Sequence, residues 1–244
     1  MREPYIFSSP PGADGYLTLP DDEISHLIKA LRFVPGDHFV AFDGKGNGWR
    51  AEIVSVAKKR VTARALEALP AENSAVSITV AVGVVKGPRM EWAVEKAAEL
   101  GAAHFIPLKT RFAVVEPGEG RKRRWENIAL AAAKQSRRLK LMEFSFPKAI
   151  ADLHLQHYSR VWVFDLAEDA ITAGEFSPAE RLFQLDKGEG ILLVIGPEGG
   201  FADEEREFFR TIGARFISLG SHPLRTETAL TAALVITQAR IART

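Results

Sequence analysis

Ile191-Leu192-Leu193-Val194-Ile195-Gly196-Pro197-Glu198-Gly199-Gly200 is an unbroken aliphatic run that feeds directly into a glycine-rich turn. Such a run without polar alternation suits a parallel strand covered on both faces. Glycines at its end let backbone come close to a ligand. A helix expected from about Asp203 to Ile212 would point free amide groups at the same place. An ordinary strand-to-helix loop has the same look in isolation. The segment matches neither G-x-x-x-x-G-K-[ST] nor G-x-G-x-x-G, which argues against a phosphate-loop nucleotide enzyme.

A second strand, Phe216-Ile217-Ser218-Leu219-Gly220, ends in the same way and is followed by Ser221-His-Pro-Leu-Arg-Thr-Glu-Thr-Ala229. Ligands of α/β sheets sit at the carboxyl ends of strands, so the two loops are expected to share one crevice. Thr226 suits a helix N-cap, as do Glu227 and Thr228. Arg225, just before an apolar helix, can face solvent, pair with a carboxylate, or orient a phosphate or a base edge.

Working outward, apolar strands are expected at Val76 to Val85, His104 to Leu108 and Val161 to Leu166. Between them, Pro88 opens a helix whose Met90, Ala93, Val94, Ala97 and Leu100 form one face, ending at Gly101. Further helices are expected over about 121–141 and 227–241. This alternation is that of an α/β domain with a largely parallel sheet. Residues 4–70 instead read as short strands at Phe39 to Phe42, Trp49 to Val56 and Val61 to Leu69, making a small barrel or sandwich. One helix interrupts them, from about Asp22 to Phe33, with Ile24, Leu27, Ile28 and Leu31 on one face and Asp21 or Asp22 as its cap. The polar stretch Pro70 to Ser74 marks the boundary, giving domains 1–72 and 73–244.

The 244 residues carry 32 Lys and Arg against 31 Asp and Glu, so any nucleic-acid surface must be local rather than global. The cationic stripe Arg121, Lys122, Arg123, Arg124, Lys134, Arg137, Arg138 and Lys140, opposed within that helix by Glu126, has the density usual for a solvated face, and in a near-neutral molecule it is also a candidate track for phosphates. Arg32, Lys86, Arg89 and Arg111 add to it. The absence of cysteine excludes disulfides and a thiol nucleophile, and with six His no metal site is expected. No G-x-S-x-G elbow supports a hydrolase. The N-terminus lacks a signal-peptide core and no apolar run nears the roughly 20 residues of a membrane span, so a soluble cytoplasmic protein is expected.

Taken in order, several runs resemble the bacterial family of 16S ribosomal RNA uridine-N3 methyltransferases, a branch of the SPOUT superfamily. They are Tyr5-Ile-Phe7, His26-Leu-Ile-Lys-Ala-Leu-Arg32, Lys86-Gly-Pro-Arg-Met-Glu91, Lys96-Ala-Ala-Glu-Leu-Gly101, Thr110-Arg111, Gln135-Ser136 with Arg138, Ile195 to Phe201 with Glu204, Leu219-Gly220 and Leu224 to Ala229. Two stretches depart from the family pattern. Lys134-Gln-Ser-Arg-Arg138 stands where Glu-Gln-Ser-Gly-Arg is common and lacks the usual proline after it, and Ser221-His-Pro223 stands where an Arg-Ile type sequence is frequent.

The resemblance implies an N-terminal PUA-like β-barrel for RNA and a C-terminal α/β domain with a deep trefoil knot. It also implies a homodimer whose active site draws on both subunits, acting on 16S rRNA in the assembled small subunit. Carried onto this chain, the S-adenosylmethionine pocket would comprise Phe164, Asp165 and Leu166, then Ile195, Gly196, Pro197, Glu198, Gly199 and Gly200, then Leu219, Gly220, Ser221, Pro223, Leu224, Arg225 and Thr226. RNA would be held by Arg32, Lys86, Arg89, Arg111, Arg121, Arg124, Lys134 and Arg138. Arg89 or Arg225 would stabilise the uracil anion, and Glu198 would either accept its proton or only shape the turn. The rival readings are a noncatalytic RNA-binding or ribosome-assembly factor, and a related knotted methyltransferase acting on tRNA or a ribose 2′-hydroxyl.

Overall fold

A computed structural model describes residues 3–58, 60–73, 76–113, 119–172 and 188–241. The chain divides into two units, Met1–Asn73 with Leu130–Leu141, and Ser74–Ala129 with Met142–Thr244. Residues 130–141, placed by sequence in the second domain, therefore cluster with the first.

The first unit is built on a five-stranded sheet. Its strands are β1 (Tyr5–Phe7), β2 (Tyr16–Leu17), β3 (His38–Phe42), β4 (Gly48–Ala57) and β5 (Arg60–Ala68) in the order β1-β3-β4-β5-β2. β1 runs parallel to β3 and the other pairs are antiparallel. The Ser9 N–H donates to the Thr18 carbonyl (3.1 Å), which brings the two ends of the sheet together as in a barrel. Between β3 and β4, the Asp43 carboxylate accepts the N–H groups of Lys45 (2.8 Å) and Asn47 (3.1 Å) and the Asn47 amide (2.7 Å). Burial works against the charge of Asp43, but these donors outweigh it and hold the carboxyl below its usual range.

The expected helix over 22–33 begins as α1 (Asp21–His26) and continues as a π-helical turn, Leu27–Leu31. Its N-cap is Pro20 and no side chain caps it, so Asp21 and Asp22 act from the first turn through the helix dipole. Arg32 closes it in the left-handed region at φ 54°. Phe39, Ile53, Leu27 and Ile6 form the fully buried centre of this unit.

The second unit carries a parallel sheet. Its strands are β6 (Ser77–Gly83), β7 (His104–Lys109), β8 (Glu143–Phe144), β9 (Lys148–Ala149), β10 (Arg160–Phe164), β11 (Ile171–Thr172), β12 (Gly190–Ile195) and β13 (Arg215–Ser218). The order is β11-β13-β10-β12-β6-β7-β8, with β9 also on β7. Among the described residues every strand pairing in this sheet is parallel. Such a sheet needs cover on both faces, which explains the aliphatic runs of β6 and β12. Its helices are α2 (Pro88–Glu99), α3 (Glu119–Ser136, the N-terminal part of which lies in this unit), α4 (Asp203–Thr211) and α5 (Thr226–Ile241). Pro88 is the first residue of α2, and Met90, Ala93, Val94 and Ala97 are buried as the spacing predicts.

The helix expected over 121–141 ends at Ser136. Arg137 takes φ 61°, the Arg138 N–H reaches back to the Ala133 carbonyl (2.9 Å), and the chain leaves the helical path. The N–H groups of Leu139 and Lys140 then donate to Glu72 (2.5 and 3.1 Å). Leu139 packs with Val40 and Phe42. Among the described residues no helix is long and apolar enough to cross a membrane.

Candidate active site

The register of β12 between β10 and β6 places Ile195 opposite Phe164 and Val82, so three strand ends open on one edge. Gly83, just past that row, explains how close the loop comes. A Cβ there would lie 2.5 Å from the nitrogen and Cδ of Pro197, so only glycine lets β6 end under this turn. The turn itself is closed by the Gly200 N–H donating to the Pro197 carbonyl (2.9 Å), with Gly200 at φ 70°. The Thr226 hydroxyl donates to the Gly196 carbonyl (3.0 Å), tying the start of α5 to the loop after β12. Thr226 is thus the first residue of α5 and anchors a neighbouring loop, where sequence also allowed an N-cap.

These loops enclose a cavity at the carboxyl ends of β10, β12 and β13. Phe164, Asp165, Leu166, Ile195, Gly196, Pro197, Glu198, Gly200, Leu219, Pro223, Leu224 and Thr226 line it, as do Phe201, Ile217, His222 and Ala229, which the sequence reading missed. His222 and Ala229 lie inside the motif already read, and Ile217 lies on β13 two residues before Leu219. Phe201 is fully buried and stacks edge-on to Phe209, so it reads in sequence as plain core. Gly199, Gly220, Ser221 and Arg225 do not line this cavity.

Asp165 has a structural task. Its carboxylate accepts from Arg206 Nε (2.6 Å) and from the Leu166 N–H (2.8 Å), so α4 clamps the end of β10. The Asp165 charge in turn holds the Arg206 guanidinium above its ordinary range. On α4, Glu205 accepts from the Ala202 N–H and, across the loop after β7, from the Arg111 N–H, both at 2.8 Å.

A second hollow of 550 Å³ adjoins the first along Pro197 and Glu198. Its other walls are Val85, Lys86, Pro88, Arg89, Phe112 and Gly199. Arg89 and Glu198 form an ion pair across it, both side chains nearly half exposed. An exposed pair of this kind gains little from its own attraction and opens readily for a polar ligand. The first cavity therefore offers apolar walls and glycine backbone, while the second offers a cation, a carboxylate and an aromatic ring. A larger hollow of 740 Å³, which includes Arg160, Trp162 and Arg215, lies at the amino ends of β10 and β13, the edge where α/β sheets do not bind ligands.

The cations expected to hold RNA fall into two groups. Arg124 pairs with Glu91 (2.8 Å), Lys134 with the buried Glu23 (2.7 Å), Arg138 with Glu72 (2.5 Å), and Arg89 with Glu198. The side chains of Arg32, Lys86, Arg111 and Arg121 have no carboxylate partner among the described residues. Among those residues, too, no group of three His, Cys, Asp or Glu side chains gathers where it could hold a metal ion.

Comparison with known proteins bears on this geometry. Residues 72–238 match the family described as RNA methyltransferase domain, and residues 19–66 match the RNA methyltransferase PUA domain. The chain is 32% identical over 225 residues to the Bacillus subtilis ribosomal RNA small subunit methyltransferase E, covering 87% of this chain and 85% of that protein. Its fold is similar to a Legionella pneumophila protein solved with bound S-adenosylmethionine, at TM-score 0.83 and 29% identity over 98% of both chains. It is equally similar, at TM-score 0.83 and 25% identity over 98% of both chains, to a Neisseria gonorrhoeae ribosomal RNA small subunit methyltransferase E bound to S-adenosylmethionine.

Proposed function

This chain belongs to the RNA methyltransferase family, and we propose that it methylates N3 of a uridine in the 16S rRNA of the small ribosomal subunit, using S-adenosylmethionine, in the cytoplasm. The observation that carries the reading is the pair of adjoining cavities sharing Pro197 and Glu198, one suited to a methyl donor and one to a polar acceptor.

The residues present fit the donor. Phe164, Ile195, Leu219 and Leu224 give apolar walls for an adenosyl group, the Gly196–Gly200 backbone gives polar contacts, and no phosphate signature competes. S-adenosylmethionine supplies a methyl group on a positively charged sulfur, open to in-line displacement. The protein's task is to hold the acceptor in line and to make it nucleophilic. Uracil N3 reacts once its proton has left, so charge develops on the ring and its carbonyl oxygens. Arg89 faces that charge from the second cavity and Glu198, on the shared wall, takes the proton directly or through water. Arg225 lines neither cavity of its own chain and is assigned to the surface that meets a second copy.

That second copy forms a homodimer, and the chain is threaded as a deep trefoil knot around the cofactor loops. Supporting the dimer, α5 is apolar round most of its circumference, and Val235 on it and Trp92 on α2 are exposed.

The test incubates the protein with labelled S-adenosylmethionine and small subunits from a strain lacking the gene, then locates the label by mass spectrometry. The expected result is one 3-methyluridine. Arg89→Ala and Glu198→Gln should each cut turnover at least about 100-fold while the cofactor still binds. Label on a ribose, on another base, or nowhere overturns the assignment.

A further inference from the structure

Phe112 is the aromatic side chain among the described walls of the second cavity, and neither a proton transfer nor a charge contact uses it. It sits on a short turn after β7, closed by the Ala113 N–H donating to the Thr110 carbonyl (3.1 Å). The adjoining Arg111 N–H is held by Glu205 (2.8 Å), so the turn is fixed to α4. Beneath the ring lies Gly199, where an added Cβ would stand 2.9 Å from Phe112 Cβ and 3.2 Å from its Cγ. The missing side chain at 199 is what lets the aromatic ring close over the glycine turn. Yet 47% of the residue stays exposed. A lone exposed phenylalanine needs no explanation; one seated on the backbone of a ligand loop, beside an ion pair, in a 550 Å³ hollow does.

The charges around the ring are unequal. On one side Lys86 and Arg89 face a single carboxylate, Glu198; on the other, a separate hollow sets Asp203, Glu204 and Glu205 against Arg111 and Arg206. The excess of positive charge on the Lys86 and Arg89 side favours a nucleotide's phosphate there, with its base laid across the ring.

We infer that Phe112 is the stacking platform for the target base once it has left the RNA helix. The inference rests on the second cavity being the acceptor site, as argued above. A base taken out of its stack loses its neighbours' faces, and an aromatic side chain replaces one of them. Phe112 would hold the ring plane while Arg89 and Glu198 meet its edge. It is a positioning residue and takes no part in the proton's path.

The experiment compares Phe112→Ala, Phe112→Leu and Phe112→Tyr in methylation of small subunits, with cofactor affinity measured by calorimetry. Base–aromatic stacking is worth about 5- to 150-fold in binding. Phe112→Ala and Phe112→Leu should raise KM for the subunit within that range, leave cofactor affinity within about twofold, and be rescued by Phe112→Tyr. Wild-type KM in Phe112→Leu overturns the inference, since apolar bulk alone would then suffice. Lost cofactor affinity in Phe112→Ala overturns it in favour of a loop-packing role. A wild-type protein that methylates nothing sinks the reading of function instead. In that case a Phe112→Trp variant titrated with uridine 5′-monophosphate still decides the matter: fluorescence quenching supports stacking, and none removes it.

Discussion

Gly83 shows how much of the site depends on a residue with no side chain. Sequence marks the glycines of 196–200 because they follow an aliphatic strand, but Gly83 ends its own strand without any signal that Pro197 will lie against it. Only packing brings them together. Gly83→Ala puts a methyl group 2.5 Å from backbone, which must shift. Overpacking of this kind costs about 1–3 kcal/mol. We expect a loss of that size in urea unfolding together with weaker cofactor binding in calorimetry; wild-type affinity would mean that the loop yields freely. The Arg89–Glu198 pair is half legible: sequence marks each residue as a candidate, but nothing in the pattern shows that they face each other. Nothing in the sequence marks His104. Burial lowers its pKa, with Lys148 and Lys122 adding to the effect and Glu143 opposing it, and its Nε2 lies 2.9 Å from the Ser145 hydroxyl. The folded protein thus resists a proton that the unfolded chain accepts below about 6.5. Stability is full above that pH and declines as pH falls through it towards the lower folded value. Urea midpoints between pH 8 and 5 check this, and His104→Gln should flatten the decline.

At the scale of elements, strands and helices were readable where period and burial agree, as in α2 and β12, and least readable where the chain leaves a helix without glycine. Arg137 is the clearest case. The resemblance places glycine there, and the structure requires φ 61°, a region that costs an L-residue roughly 1–2 kcal/mol. An arginine gives no hint of that turn, so the helical pattern reads on to Leu141 when the helix stops at Ser136. The same stretch holds a second substitution of character. Lys134, where the family commonly has Glu, donates to both oxygens of Glu23 (2.8 and 2.7 Å), a carboxylate only 3% exposed. The two departures therefore have different physics: Lys134 satisfies a buried charge, whereas Arg137 strains its backbone. Arg137→Gly should raise stability by about 1 kcal/mol, read as a higher urea midpoint with unchanged slope. No gain would mean that the arginine side chain offsets the strain through contacts of its own.

For the whole molecule, a net charge of +1 means that RNA affinity must come from a few placed cations. Sequence could locate those cations but could not tell which are already spent on carboxylates, because ion pairs such as Arg138 with Glu72 join residues far apart in the chain. Of the eight assigned to RNA, Arg89, Arg124, Lys134 and Arg138 are paired, leaving the side chains of Arg32, Lys86, Arg111 and Arg121 without a carboxylate among the described residues. Each phosphate contact on single-stranded RNA contributes about −0.7 to the slope of log affinity against log salt. Four contacts give roughly −3, and eight would give roughly −6. A filter-binding series between 50 and 300 mM salt, at fixed pH, separates the two. Arg121→Ala should then reduce the slope by about 0.7, while Arg124→Ala, whose guanidinium already holds Glu91, should leave it unchanged. A slope near −6 would require the paired arginines to exchange their carboxylates for phosphates on binding, and Arg124→Ala would then cost as much as Arg121→Ala.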